Sequence, residues 1–252
     1  MNHSDPFTTV FGIRFFNIGL NSMADDILGG KYNQKMIVTP NVDHVIRYEK
    51  DRHFHDIYAK ADVYLNDSRV LKLFSQAIGN PINSLVSGSD LTARLFEQLT
   101  SHQSISVAII GASEEVVAKI AEIYPIAKLT HHNPPMGFDS DERQIDKCVA
   151  VCQQANADIV FLAVGSPKQE IVADRLRAQG VSGCYLCIGA SLLFLAGEEK
   201  RAPEFVRRAN CEWLFRLAQS PKRLAKRYLV DGWQIVPIVL KERQALKRPS
   251  TH

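Results

Sequence analysis

The sequence predicts an α/β fold, a doubly wound, mostly parallel sheet with helices on both faces, followed by a C-terminal basic helical appendage. Three observations support this prediction. Short apolar runs such as residues 105–110 and 159–164 are typical of strands buried on both faces of a parallel sheet. Segments of helical periodicity alternate with these runs. Beyond residue 197, basic helical segments replace the alternation.

The first part of the chain contains apolar runs that predict four strands. They cover residues 10–18, 35–39, 61–66 and, as a short one, 84–87. Helices are predicted between and after them, over residues 22–28, 42–59, 71–78 and 88–100. The last of these helices is expected to have Ser89 or Asp90 as its N-cap, because short polar side chains accept hydrogen bonds from the first turn.

The second part repeats the same alternation more regularly. Strands are predicted over residues 105–111, 126–130, 159–164 and 183–188. Helices are predicted over residues 114–124, 141–155 and 169–179. His131 and His132 are expected in the loop that follows the second of these strands.

The turn after residue 164 is the strongest candidate for function. Gly165 allows a tight turn, and Pro167 suits the first turn of a helix, where its missing N–H has no partner to lose. Such a turn places backbone N–H groups at the carboxyl edge of the sheet, where α/β sheets bind anionic ligands. Gln169 and Glu170 are expected at the mouth, where they could bond hydroxyls. The alternative is that Gly165 and Pro167 serve turn geometry alone.

Other polar groups follow the predicted strands at the same edge. Thr39 and Asn41 end one strand, and Asp67 ends the next. A carboxylate at such an edge can act as a general base toward an attacking hydroxyl. Asp67 could instead be the N-cap of the helix that follows, and the pattern alone favours that role. Gly111 and Gly189 end two further strands and are candidate substrate-contacting turns.

Charge divides the chain into two predicted regions, an α/β domain over residues 1–197 and an appendage over 198–252. The appendage has 13 basic and 6 acidic residues, a balance of +7 in a chain of net charge +3. Its aromatic residues are interleaved with the basic ones, which suits an anionic membrane surface. The alternative is a helical pair docked on the sheet domain with a solvated basic face. No motif resembles a nucleic-acid reader, so nucleic acid is not an expected partner.

Cysteine and histidine usage argues against disulfides and metals. Five cysteines in 252 residues are typical of reduced thiols in the cytosol. Cys184 and Cys187 have metal-site spacing, but they lie in a predicted strand and are interpreted as core. His131 and His132 have no carboxylates at a ligand spacing, so no metal is expected. No signal peptide and no apolar run long enough for a spanning helix are recognised.

Several pieces of the sequence together resemble the WecG/TagA/CpsF glycosyltransferases, in family order over nearly the whole chain. The matching pieces are Thr39-Pro40-Asn41, Ala61-Asp62-Val63 with Asp67, Gly88-Ser89-Asp90-Leu91, Gly165-Ser166-Pro167-Lys168-Gln169-Glu170, Lys200-Arg201-Ala202-Pro203 and Glu212-Trp213-Leu214-Phe215-Arg216-Leu217.

The resemblance implies an inverting, metal-independent enzyme without a cofactor, cytoplasmic and peripheral on the inner face of the membrane. It implies transfer of a hexose or N-acetylhexosamine from a UDP-sugar to a polyprenyl-diphosphate-linked saccharide, in exopolysaccharide or cell-surface polymer synthesis. It further implies that Asp67 is the catalytic base and that Thr39, Asn41 and Gln169 line the pocket. Arginines of the tail would contact donor phosphates and membrane, with Arg207, Arg216 and Arg223 as candidates.

The sequence departs from the family pattern at Ser68, Leu85 and Leu193, where the family usually has Gly, Arg and Asp. Leu85 removes a cation that could meet phosphate, and Leu193 removes an acceptor near the nucleotide. These departures leave a second interpretation, in which the protein is a non-catalytic subunit that binds UDP-sugar or glycolipid in a polysaccharide-synthesis complex. The oligomeric state is open, with a homo-oligomer as one alternative.

Overall fold

A computed structural model describes residues 5–199, 215, 217, 218 and 231–247 of the chain. These residues form an eight-stranded sheet with the order β1-β2-β4-β3-β8-β7-β5-β6, in which only the β1–β2 pair is antiparallel. The strands are β1 (Phe7–Val10), β2 (Ile13–Phe16), β3 (Met36–Val38), β4 (Val63–Tyr64), β5 (Ser106–Gly111), β6 (Lys128–His132), β7 (Ile159–Ala163) and β8 (Cys184–Cys187). The predicted α/β class is confirmed.

Helices lie on both faces of this sheet, as the alternation of the sequence predicts. They are α1 (Leu20–Leu28), α2 (Val42–Lys50), α3 (Arg52–Tyr58), α4 (Arg69–Ala77), α5 (Gly88–Leu99), α6 (Glu114–Ile123), α7 (Glu142–Gln154), α8 (Lys168–Ala178), α9 (Ser191–Leu195) and α10 (Ile235–Lys247). One face carries α1, α5, α6 and α9, and the other carries α2, α3, α7 and α8.

The central strands are buried on both faces, which explains their continuous apolar runs. Side chains of a strand point alternately to the two faces, so that Phe161 packs with α5 and α6 while Leu162 packs with α7 and α8. Cys184 and Cys187 likewise belong to different faces and are fully buried. Burial in apolar surroundings raises the pKa of both thiols. Their interpretation as core residues is therefore confirmed.

The prediction of one continuous strand over residues 10–18 is wrong. The chain instead makes the hairpin of β1 and β2, in which Val10 pairs with Ile13. Phe11 and Gly12 both have positive φ, at 56° and 72°, and two such residues make the kind of tight turn that matches the twist of paired strands. Phe11 carries no turn signal, so the sequence pattern did not reveal it.

Three further predictions differ from the structure in detail. The helix predicted over residues 42–59 is two helices, because Asp51 ends α2 and caps α3, accepting a hydrogen bond from Phe54 N. Residues 84–87 form no strand. His131 and His132 lie in β6 rather than in a loop, because β5 extends far enough to pair with them.

The described end of the tail packs on the sheet domain. Ile235 and Ile238 of α10 are buried in the cluster that holds Val45 and Ile46 of α2. Lys50 Nζ donates to Gln234 Oε1 at 2.7 Å. Residues 231–247 are therefore docked on the sheet domain. The helical pair with a solvated basic face and the boundary near residue 198 stay predictions. Within the described ranges, no helix is long and apolar enough to cross a membrane.

Candidate functional site

The candidate site lies at the carboxyl edge of the sheet, between strands whose connections diverge. β3 leads into α2 and α3 on one face, whereas the neighbouring β8 leads into α9 on the other. Such a divergence opens a crevice at the ends of the strands. Helices that follow parallel strands begin at this edge, so their N-terminal N–H groups and positive dipole ends surround the crevice.

Thr39 directly follows β3 and lies beside the first residue of α5. A Cβ built on Gly88, the first residue of α5, would lie 3.0 Å from Thr39 Oγ1 and 3.3 Å from Ser191 Oγ. The absence of a side chain at Gly88 therefore lets α5 and α9 approach the end of β3. Thr39 itself is half-buried. The structure thus places Thr39 at the carboxyl edge of the sheet, beside the start of α5.

Asn41 has a structural role at the start of α2. Its Oδ1 accepts hydrogen bonds from Asp43 N at 3.1 Å and His44 N at 3.4 Å, while His44 Nδ1 accepts from Asn41 N. This reciprocal capping satisfies N–H groups that have no partner within the helix. The Asn41 carboxamide is consequently oriented by the helix, and its predicted contact with substrate stays a prediction.

Asp67 follows β4 and lies beside the end of β3, since its backbone N–H donates to Pro40 O at 3.1 Å. The N-cap of α4 is Ser68, whose Oγ accepts from Leu71 N at 3.2 Å. The alternative role of Asp67 as N-cap is therefore wrong. Ser68, which stands where the family usually has glycine, is the residue that caps α4. The half-buried Asp67 therefore does not cap this helix.

Gln169 ties two strand ends together. Its Oε1 accepts from Gly189 N at 3.0 Å, and its Nε2 donates to Glu170 Oε1 at 2.9 Å. Gln169 is only 4% exposed and Glu170 is fully buried. The expectation that both side chains stand open at the mouth is therefore wrong. Their helix begins at Lys168, one residue before the predicted start, with Pro167 as its N-cap residue.

Glu170 lies beneath the crevice on the α3 side. Burial raises the pKa of its carboxyl, and the Gln169 amide, the Ser166 hydroxyl and Arg47 oppose that shift less strongly. Tyr58 of α3 is equally buried, and its ring stacks on Phe54 at 4.8 Å. Burial first, and then the negative charges of Glu170 and Asp67, raise the pKa of Tyr58 well above its usual range. The two carboxylates therefore share one electrostatic environment.

The glycines of the site meet two different structural requirements, a positive φ and a close approach of neighbouring backbone. Gly165 and Gly189 have positive φ, at 80° and 54°, with open space where a Cβ would be. Gly111 has φ of 98°, and a Cβ there would lie 2.8 Å from the carbonyl carbon of Ala163. Gly111 is thus needed for the close approach of β5 to the end of β7. Any contact of these glycines with substrate remains a prediction.

Two neighbouring polar residues support the site from outside. The N-cap of α5 is Ser87, not Ser89 or Asp90, and its Oγ accepts from Asp90 N at 3.0 Å. Helix α5 begins at Gly88, as predicted, so its N-cap is the residue before Gly88 rather than one of the two after it. Lys168 pairs with Asp139 at 3.0 Å and so holds the loop after β6 against the start of α8.

Sequence reasoning missed two residues of this site. Ser191, buried at the start of α9, could have been found as a polar residue shortly after a predicted strand. Tyr58 carried no signal, since its helical position looked like ordinary core. The candidates Arg207, Arg216 and Arg223 lie outside the described residues. In the part of the chain that the structure covers, no group of three His, Cys, Asp or Glu side chains is arranged to hold a metal ion.

Comparison with known proteins identifies relatives along almost the whole chain. The model of the WecG/TagA/CpsF glycosyl transferase family matches residues 8–249. The N-acetylglucosaminyldiphosphoundecaprenol N-acetyl-beta-D-mannosaminyltransferase of Bacillus subtilis (strain 168) is 27% identical over 246 residues, 95% of this chain and 93% of its own length. The protein of the same name from Bacillus spizizenii is 27% identical over 217 residues, 84% and 81% of the two chains.

The family match covers both the strand ends that form the crevice and the basic tail. It agrees with the resemblance carried by the turn of residues 165–170 and confirms it. It also favours an enzyme over a binding subunit. The chain therefore belongs to the WecG/TagA/CpsF family and is a glycosyltransferase.

Proposed function

We propose that this protein transfers a sugar from a UDP-sugar to a polyprenyl-diphosphate-linked saccharide, with inversion at the anomeric carbon and with Asp67 as general base. The observation that carries the proposal is the position of Asp67. It lies at the end of β4, hydrogen-bonded through its backbone to the end of β3, while Ser68 caps the next helix. Thr39 and Gln169 reach the same edge from β3 and α8.

The proposed step is a single displacement. Asp67 takes the proton from an acceptor hydroxyl as its oxygen bonds to the anomeric carbon of the donor. The bond between that carbon and the diphosphate oxygen breaks, and UDP departs with the bonding electrons. The acceptor hydroxyl and the leaving diphosphate occupy opposite faces of the sugar, which accounts for inversion.

The departing diphosphate needs stabilisation by positive charge or by N–H groups. The helices that start at the carboxyl edge of the sheet offer N–H groups and positive dipole ends there. Arg207, Arg216 and Arg223 are the proposed cationic partners from the tail. Together these groups account for leaving-group stabilisation without a metal or another cofactor.

The relatives guide the choice of sugar and acceptor. Both relatives are named as enzymes that transfer an N-acetylmannosaminyl group to N-acetylglucosaminyl-diphospho-undecaprenol. We therefore expect an N-acetylhexosamine donor to be preferred over a simple hexose. We also expect a lipid diphosphate acceptor that carries an N-acetylated sugar, as a precursor of a cell-surface polymer or exopolysaccharide.

The decisive experiment compares Asp67→Asn with Asp56→Asn, a matched exposed carboxylate on α3. Transfer from a panel of UDP-sugars to a short-chain lipid-diphosphate acceptor is followed by mass spectrometry, and UDP affinity is measured by calorimetry. Asp67→Asn should slow transfer by roughly 10²–10⁴-fold while UDP binding is nearly unchanged. Near-normal turnover by Asp67→Asn would refute its role as base.

The tail is proposed to hold the enzyme at the inner face of the membrane and to complete the active site. Basic side chains near an anionic leaflet contribute about 1 kcal/mol each, and salt screens this attraction. A chain ending at residue 197 should lose binding to anionic vesicles and should also be inactive on a water-soluble acceptor. Full activity of that truncation would exclude the phosphate-binding role, and unchanged vesicle binding would exclude the anchoring role.

The truncation at residue 197 has a second effect, because it also removes α10, which packs on α2. Truncation also exposes Val45 and Ile46, which could unfold the sheet domain. Single Arg207→Ala, Arg216→Ala and Arg223→Ala variants avoid this difficulty. Each should weaken UDP binding if the tail contacts the diphosphate. Sedimentation of the full chain with and without vesicles would determine whether it acts as a homo-oligomer.

A further inference from the structure

We propose that Glu170 is a positioning residue, which fixes the orientation of the Gln169 carboxamide and thereby joins the turn after β7 to the turn after β8. The inference rests on the proposed function in that these two turns are taken to form the wall of the transferase site. The hydrogen bonds that carry it do not depend on the identity of donor or acceptor.

The hydrogen bonds form one directed chain. Glu170 Oε1 accepts from Gln169 Nε2 at 2.9 Å, and Gln169 Oε1 accepts from Gly189 N at 3.0 Å. Gly189 N can only donate and Glu170 Oε1 accepts in this pair, so together they select the amide rotamer whose NH₂ faces Glu170 and whose oxygen faces Gly189. The opposite rotamer would place two acceptors together on one side and two donors together on the other.

Burial makes this selection strong. Gln169 is 4% exposed and Glu170 fully buried, so water cannot replace either bond cheaply. Gly189 has a positive φ and no side chain of its own to hold the turn. The bond that Gln169 Oε1 accepts from Gly189 N is therefore a side-chain constraint on the segment that leads from β8 into α9.

Glu170 cannot act directly on substrate from this position. Its second oxygen, Oε2, is buried without a hydrogen bond of good geometry, and the same holds for the Ser166 hydroxyl oxygen. Around the carboxyl lie Tyr58, Cys187 and Arg47. A carboxylate is costly in such a place, and its retention is explained if the carboxyl holds Gln169.

The test uses three substitutions with different consequences for the acceptor at residue 170. Glu170→Leu removes the acceptor at similar volume. Glu170→Gln keeps an oxygen for Gln169 Nε2 and places its own NH₂ beside the Ser166 hydroxyl, which can accept. Ser106→Ala is the matched control, because it breaks a buried polar network with Asp158 at the opposite edge of the sheet.

The first measurement is amide hydrogen exchange of Gly189 in protein labelled with ¹⁵N-glycine, which requires no substrate. Glu170→Leu should speed this exchange by about 3- to 10-fold, the equivalent of one lost hydrogen bond. Glu170→Gln should restore the protection, and Ser106→Ala should leave it unchanged. Wild-type protection of Gly189 in Glu170→Leu would overturn the proposal.

The second measurement is a double-mutant cycle on the transfer rate. If Glu170 acts through Gln169, Glu170→Leu should slow transfer in the wild-type background but should add nothing to Gln169→Leu. Multiplying effects would refute the positioning role. Should Glu170→Leu fail to fold, Glu170→Asp serves instead, because its shorter side chain withdraws the acceptor while keeping a carboxyl group. Inactivity of the wild-type chain would count against the proposed function alone, since the exchange result stands without it.

Discussion

Gly111 and Gly165 provide a matched pair for separating backbone strain from steric conflict at the site. Both have positive φ, and both are followed by a helix on the carboxyl edge of the sheet. An added Cβ meets nothing within 4 Å at Gly165. At Gly111 it would lie 2.8 Å from Ala163 C and 2.9 Å from Ala163 O, which are backbone atoms that no rotamer change can move.

The magnitudes follow from these two environments. Alanine in a left-handed conformation costs about 1–2 kcal/mol, which we expect in full for Gly165→Ala. Gly111→Ala should add an overpacking cost of about 1–3 kcal/mol, because β5 and β7 would have to separate. Both substitutions reduce the entropy of the unfolded chain equally, so this effect cancels in their difference.

Urea unfolding followed by far-UV circular dichroism measures the difference directly. Gly111→Ala should unfold at a clearly lower urea concentration than Gly165→Ala, with similar slopes of free energy against urea. Equal midpoints for the two variants would show that the contact of β5 with the end of β7 is not tight. In that case the close-packing reason for Gly111 would be wrong, and a direct role toward substrate would become the better explanation.

Two other predictions follow from buried contacts. Gly88→Ala should lower kcat/KM by about 10- to 100-fold with little loss of stability, because the new Cβ would push on Thr39 Oγ1 and small displacements of positioning groups are costly. The control is Gly19→Ala, where a Cβ meets nothing within 4 Å. Equal rates in the two variants would contradict the prediction. Burial raises the pKa of Cys148 to about 11 and that of Cys152 to about 12. The unfolded thiols ionise near pH 8.5, so the stability that these neutral thiols contribute is complete below that pH and is lost as the pH rises toward 11–12. The stability difference between wild type and Cys148→Ala/Cys152→Ala, measured by urea unfolding at pH 7 and pH 10, should therefore shrink at pH 10, and an unchanged difference would contradict the assignment.

Local pattern was sufficient for the architecture. Continuous apolar runs predicted the double burial of β5 and β7, and their alternation with amphipathic helices predicted a parallel, doubly wound sheet. These features depend on neighbours along the chain, where periodicity and turn chemistry act. The same reasoning placed Thr39, Asp67 and Gln169 at strand ends, and therefore at one edge, before any contact was known.

The roles of individual side chains needed the tertiary structure. Whether Asp67 or Ser68 caps α4 depends on backbone angles that both residues could adopt. Gln169 and Glu170 looked like polar residues at an open mouth, and only the packing of α3 and α8 shows that they are buried. Tyr58 became part of the site's surroundings solely because α3 folds back beneath β3.

The sequence by itself thus determined the fold class, the family and the edge of the sheet on which chemistry is expected, because each is carried by patterns local to a segment or repeated in relatives. Tertiary structure decided which polar groups are committed to holding that edge together. Ser68 does so by capping the next helix, and Glu170 does so by bonding its neighbour Gln169. Gln169 in turn bonds Gly189, which only folding brings near. The hydrogen bond from Gly189, in the turn after β8, to Gln169 of α8 joins residues 20 positions apart. No periodicity within a segment encodes such a bond, since its partners meet only when the sheet has formed.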